Sequence, residues 1–140
     1  MGAKTITKSS ITAEASADVL RAAEAKAVEI GVPMVIAVVD ESGVLKAFTR
    51  MDGAPLLSVE IAQDKAYTAA AYGISTDTWF EFIKNDPPLL HGIIKTPRLV
   101  VFGGGYPLQV GGVVGAIGVS GGHYEQDMAV AQAGVAALEA

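Results

Sequence analysis

Between residues 12 and 30 apolar side chains recur at Val19, Leu20, Ala23, Ala27 and Ile30, a spacing that keeps one face of a helix apolar. Thr12 supplies a cap at the start, and Gly31 followed by Pro33 supplies the stop. MVIAVVD (34–40) and VLKAFT (44–49) are β-branched or apolar runs flanking Asp40-Glu41-Ser42-Gly43, which predicts a hairpin with a short loop. The first run is nearly all apolar, so both its faces are expected to be covered. RMDGAP (50–55) reads as a turn, with Pro55 at the first position of a helix over LLSVEIAQDKAYTAAAYG that ends at Gly73. In that helix Leu57, Ile61 and Ala62 are expected to face a core, and Glu60, Asp64 and Lys65 to lie on another side.

A shorter helix is expected from Ser75 or Thr76, carrying Trp79, Phe80, Phe82 and Ile83 and stopping before Pro87-Pro88. PPLLHGIIKTPR (87–98) shows no periodicity and reads as a loop or lid. LVVF (99–102), YPLQV (106–110) and VVGAIGVS (113–120) read as strands with glycine turns between them. Met128, Ala131, Val135 and Leu138 form the stripe of a closing helix from Tyr124. This order predicts an α+β fold, a two-layer domain with an antiparallel sheet and packed helices.

At 140 residues the chain fits a single domain, residues 1–140. Ten basic against fifteen acidic residues leave a net charge of −5, and no window gathers the basic ones. Nucleic acid and anionic membrane are therefore not expected partners. Without cysteine there is no disulfide, thiolate metal site or cysteine nucleophile. The opening MGAKTITKSS is polar and no apolar run approaches a membrane span, so a cytoplasmic location is expected. The hydrophobic half is largely Ala, Val and Gly, which favours flat apolar surfaces and predicts a homo-oligomer.

Gly118-Val119-Ser120-Gly121-Gly122 matches the G-x-S-x-G elbow of a serine nucleophile. The only histidine after Ser120 is His123, three residues on, and the chain is short for a hydrolase of that type, so Ser120 reads as a strand end. Alternation places Ala116, Gly118 and Ser120 on one face with almost no side-chain volume. A helix, a neighbouring subunit or a flat ligand must approach there, and a packed helix is the expectation. The Gly121-Gly122 turn leads into a helix whose Glu125 and Asp127 complement its positive end. Arg50 is a candidate to grip a carboxylate, with Asp52 to orient it or act as a base. Lys65 reads by default as a solvated lysine. Two separated histidines make no zinc site, although His91 or His123 can each supply an axial bond to a haem iron.

MVIAVVDESGVLKAFTRMDGAPLLSVEIAQDKAYTAAAYG, FGGGYPL, GGVVGAIGVSGG and EQD, in this order and spacing, resemble the GlcG/HbpS-type family, the haem-degrading (DUF336-like) domain family. The resemblance covers nearly the whole chain. It implies a compact PAS- or profilin-like fold, homo-oligomers including octamers, and haem or another small molecule at a shared site. The matching positions are Arg50, Met51, Asp52 and Gly53, then Asp64 and Lys65, then Gly103, Gly104, Gly105 and Pro107, and finally Gly121, Gly122, Glu125, Gln126 and Asp127. The glycine turns and the helix start are expected to border one pocket. His123 and Tyr124 depart from the family pattern, and place a candidate iron ligand, His123, and a candidate ligand contact, Tyr124, at that pocket. The expected function is small-molecule binding, with haem first and haem sensing, storage or breakdown as its purpose. The alternative is a cofactor-free isomerase, lyase or hydrolase acting on a small organic acid or carbonyl compound in a catabolic pathway. In it Arg50 is the anchor, and His123 and Asp127 are the acid and base.

Overall fold

In the computed structural model, which describes residues 2–139, helix α1 (Ala13–Ile30) begins where the Thr12 hydroxyl accepts the Ala15 N–H. It ends at Gly31, whose φ of 82° is a left-handed value that glycine adopts freely. β1 (Val35–Asp40) and β2 (Leu45–Arg50) form the expected antiparallel hairpin, with Val35 opposite Arg50. The Asp40 carboxylate accepts the Ser42 and Val44 N–H groups and closes the loop. β4 (Val113–Ser120) pairs antiparallel with the other side of β1, and β3 (Gly105–Gln109) pairs with β4. The four strands run in the order β2-β1-β4-β3.

Helices cover both faces of this sheet. On one face α1 and α5 (Tyr124–Glu139) pack over Met34, Ile36, Val38, Ile117 and Val119. On the other, α2 (Ser58–Tyr72) lays Ala62, Ala66 and Ala69 on Val35, Ala37, Val39 and Ala116. β1 is thus buried on both sides, as its unbroken apolar run requires, and each large side chain there contributes about 1.5–3 kcal/mol. The α+β class and the antiparallel sheet are as expected. The expected two layers become three, because β1 and β4 carry apolar or small residues on both faces and each face takes its own helices.

The empty face of VVGAIGVS is where α2 docks. A Cβ built on Gly118 would run into the Ala62 carbonyl oxygen and the Ala66 backbone nitrogen. Glycine at that position lets a helix backbone lie directly on a strand.

Four local expectations are corrected. Pro55 does not open α2; residues 55–57 form a turn in which the Pro55 carbonyl accepts the Ser58 N–H, and Leu57 is 75% exposed rather than in the core. Segment 87–98 is not plain loop. The Asp86 carboxylate caps a short helix α4 (Pro87–Gly92) with proline in its first turn, and a 3-10 turn over Ile93–Lys95 follows. LVVF joins no ladder; the Val100 N–H is taken by the Thr68 hydroxyl, so the run crosses α2 instead. Lys65, expected beside Glu60 and Asp64, is fully buried. α3 (Thr76–Ile83) forms as expected and buries Ile83. Among the described residues no helix is long and apolar enough to cross a membrane.

Candidate functional site

Arg50, Val35 and Ser120 form one row across β2, β1 and β4, and Gly105 at the start of β3 stands opposite Gly118. One end of the sheet therefore gathers the RMDG turn, the triple glycine and the Gly121-Gly122 turn. The residues singled out in the sequence meet there in two separate groups.

The first group centres on Lys65, which shares the buried stripe of α2 with Ser58, Ala62, Ala66 and Ala69. Its Nζ donates to the Val119 carbonyl at 2.8 Å and to Asp127 Oδ2 at 2.9 Å. Asp127, in the first turn of α5, also accepts the Gly122 N–H at 3.0 Å through Oδ1. Phe102 lies beneath the ammonium, 4.9 Å from Nζ to the ring centroid. The triple glycine makes room for this arrangement. A Cβ on Gly104 would stand 2.7 Å from Lys65 Nζ and 2.6 Å from the Val119 oxygen, and one on Gly105 2.5 Å from the Lys65 carbonyl. Gly103 lies against the Met128 side chain.

Desolvation pushes the Asp127 carboxyl above its usual range and the Lys65 ammonium below its own, each offset in part by the partner's charge. Lys65 is thus a buried cation with an assigned partner, not the solvated residue expected. Asp127 is 2% exposed and engaged on both oxygens, so in this arrangement it braces the fold rather than offering a free acid or base.

His123 and Tyr124 occupy the outer side of the same turn. The His123 side chain is 58% exposed, and its ring packs 4.1 Å from that of Tyr124. Its Nδ1 accepts the Glu125 N–H at 3.2 Å, and the Glu125 carboxylate stands 3.9 Å from the same atom. Gln126 accepts the His123 backbone N–H at 3.1 Å and secures the entry to α5. Beside them Asp77, Phe80, Glu81, Val101, Phe102, Gly103 and Tyr124 line a cavity of about 360 Å³. Phe80 and Phe102 lie outside the expected site residues; Phe102 adjoins the triple glycine in the sequence, whereas Phe80, on α3, carries no local signal. Asp77 Oδ1 is buried without a partner. Burial, and then the Asp77 charge, push the Tyr106 hydroxyl up.

The second group is the RMDG turn. Arg50 donates from Nε and Nη2 to the Ala54 carbonyl at 3.1 and 2.8 Å, and so pins the turn. The Met51 sulfur accepts the Met34 N–H at 3.4 Å, and Asp52 is exposed. With Arg21, Glu24 and Val28 of α1 these residues line an open groove of about 720 Å³. Gly103 of the glycine turn and Tyr124 of the helix start line one cavity, Gly121 and Gly122 are not among its lining residues, and the RMDG groove shares none of them. His91 is exposed on α4 and lines neither. Ser120 donates to the Ser58 hydroxyl at 3.0 Å in a buried contact, which fits its reading as a strand end. Among the described residues no group of three or more His, Asp or Glu is placed to hold a metal ion.

The model of one protein family, haem degrading protein HbpS-like, matches residues 11–136. Over 125 residues the chain is 42% identical to a 15.0 kDa protein from the dhaT-dhaS intergenic region of Citrobacter freundii, covering 87% of each chain. The crystal structure of the Klebsiella pneumoniae protein ORFY superposes with a TM-score of 0.93 at 35% identity, covering 100% of this chain and 98% of that one. The crystal structure of a PduOC:heme complex superposes with a TM-score of 0.84 at 35% identity, covering 91% of this chain and 94% of the other.

Proposed function

This chain belongs to the HbpS-like family of haem-degrading proteins, and we propose that it binds haem, with His123 as the iron ligand. The observation that carries this reading is an exposed imidazole packed on Tyr124, which in turn lines a cavity with Phe102, Phe80, Asp77 and Glu81. Haem needs only one or two protein ligands and a flat apolar surface for its ring, and these residues fit both needs. The relative solved with haem, PduOC, supports the same ligand class. When bound, haem supplies one-electron and oxygen chemistry.

The chain's own part is orientation and proton placement. With Nδ1 accepting the Glu125 N–H, a neutral His123 ring carries its proton on Nε2. If Nε2 were to hold the iron, the ring proton would sit on Nδ1, the Glu125 N–H bond to that atom would give way, and the Glu125 carboxylate, 3.9 Å off, would be an acceptor on that side. Glu125 is then the residue that orients the ring and raises its basicity.

The cofactor-free enzyme needs Arg50 and either His123 or Asp127 around one substrate. The separation of the RMDG groove from the cavity lined by Tyr124, and the engagement of Asp127 by Lys65, favour haem binding over that reading. The proposal includes a homo-oligomer in the cytoplasm. Leu45 and Phe48 on β2, with Leu56 and Leu57 in the following turn, are exposed apolar residues that a second copy would cover.

An absorbance titration of the purified protein with hemin tests the proposal. A saturable change in the haem absorption band is expected, and an unchanged band would refute haem binding.

A further inference from the structure

Phe80 of α3, Phe102 beside the triple glycine and Tyr124 at the start of α5 come from three separate stretches of the chain and line one cavity of about 360 Å³. They are left 43%, 45% and 47% exposed. One such side chain at a surface is ordinary, but three around a single cavity make an apolar patch of the kind that marks a binding site. Phe102 already holds a cation. The fully buried Lys65 ammonium lies 4.9 Å from its ring centroid, on the side turned to the core, and the exposed part of the ring is left to the cavity. A positive charge over an aromatic face is attracted by the ring's quadrupole, and more strongly where water is excluded.

The charge lining this cavity is of one sign. Asp77 and Glu81, four residues apart on α3, both line it, and no lysine, arginine or histidine among the described residues does. Glu81 pairs with Lys84, whereas none of the ion pairs among the described residues includes Asp77. Like charges at this spacing on a helix repel. The place of Asp77 in the first turn of α3 accounts for one acidic residue there, but not for the second or for the aromatic rings around the same cavity. One Asp77 oxygen is shielded from solvent, yet a carboxylate acts on a cation through space, so contact with that atom is not required.

We propose that this cavity binds a small organic cation, a methylated ammonium of about the size of choline, with its methyl groups against Phe80, Phe102 and Tyr124 and its charge answered by Asp77. The aromatic walls favour a cation clothed in methyl groups over a metal ion, for which the described residues offer no set of three ligands. The net charge of −5 favours the approach of a cation, and the half-exposed rings need no movement to meet it. The proposal goes beyond haem binding but shares Tyr124 with it, so the test leaves hemin out and the two readings fail separately.

The full chain is titrated with choline, followed on the choline methyl proton resonance, beside the neutral alcohol in which a carbon replaces the nitrogen of choline. A saturable upfield movement of the choline resonance is expected from the ring currents of the aromatic walls. The neutral alcohol is expected to bind roughly tenfold more weakly, and Asp77→Asn to weaken choline by a similar factor while leaving the alcohol nearly as it was. A choline resonance that does not move would overturn the proposal. So would equal binding of choline and the alcohol, which would reduce the cavity to an apolar surface, and so would unchanged choline binding in a folded Asp77→Asn. If Asp77→Asn does not fold, the comparison of the two ligands on the native chain decides.

Discussion

Lys65 Nζ and Asp127 Oδ2 lie 2.9 Å apart, joining α2 to α5 across 62 residues of sequence, with both side chains shielded from solvent. The same ammonium caps the Val119 carbonyl, and the same carboxylate holds the Gly122 N–H. The pair therefore fixes the turn that presents His123, and it explains why the chain spends three consecutive glycines beside it.

Removing one partner strands the other. Lys65→Met leaves a buried carboxylate without its cation and is expected to cost about 3–5 kcal/mol. Adding Asp127→Asn removes the stranded charge while keeping an acceptor for Gly122, so the double variant should regain roughly 2 kcal/mol of that loss. Urea unfolding of the three proteins checks this. Equal stability of the single and double variants would show that the charge was never the issue.

The pair also sets a pH dependence. Burial raises the Asp127 pKa above its unfolded value, so the stability it contributes is full at low pH and is lost as pH rises through the folded value. The stability advantage of the native chain over Asp127→Asn should therefore shrink as pH rises from about 4 toward neutrality. Lys65, whose pKa is lowered, acts in the opposite sense, and its contribution is lost as pH falls from the alkaline side through its folded value. Urea midpoints measured across this range test the sign, and an advantage that widens above pH 4 would contradict it.

Glycine substitutions should sort by what the new Cβ meets. At Gly118 it meets the backbone of α2, which cannot yield without lifting the helix, so Gly118→Ala should cost roughly 3 kcal/mol. At Gly122 it meets only the Gln126 side chain, and Gly122→Ala should stay within about 1 kcal/mol. Thermal melts of both variants separate the two cases, and equal losses would mean that α2 is not seated on β4 as described.

Arg50 braces a turn through the Ala54 carbonyl and lines a groove apart from His123. Arg50→Ala should lose about 1 kcal/mol of stability and leave hemin binding as it was. A large loss of hemin binding in the folded variant would place the RMDG groove in the haem site.

Most of the fold was legible because local signals agreed with tertiary demands. Thr12 and Gly31 bound α1 as capping chemistry requires, and the apolar run 35–39 needed cover on both faces and obtained it. The charge of Lys65 points to solvent, but its spacing points to the core. Ser58, Ala62, Lys65 and Ala69 follow one another by four, three and four residues, which is the buried stripe of α2, and the lysine rides on it to reach Asp127. That partner comes from the far end of the chain, and no local pattern reveals it. The strand expected at LVVF failed for a related reason, since apolar content does not distinguish a ladder from a strap bonded to Thr68. The α4 helix did leave a signal, an aspartate before two prolines, which is an N-cap followed by residues preset for a first turn. The site residues were legible as a set gathered at one end of the sheet; their division into two groups depends on β1 and Pro33-Met34 lying between them, which only the fold supplies.

The most direct test of the account is a hemin titration of the native chain beside His123→Ala and His91→Ala, followed by absorbance. The account predicts a saturable spectral change in the native chain and in His91→Ala, with the liganded spectrum lost in His123→Ala. A spectrum that survives in His123→Ala would contradict the ligand assignment, and no saturable change in any of the three would contradict haem binding itself.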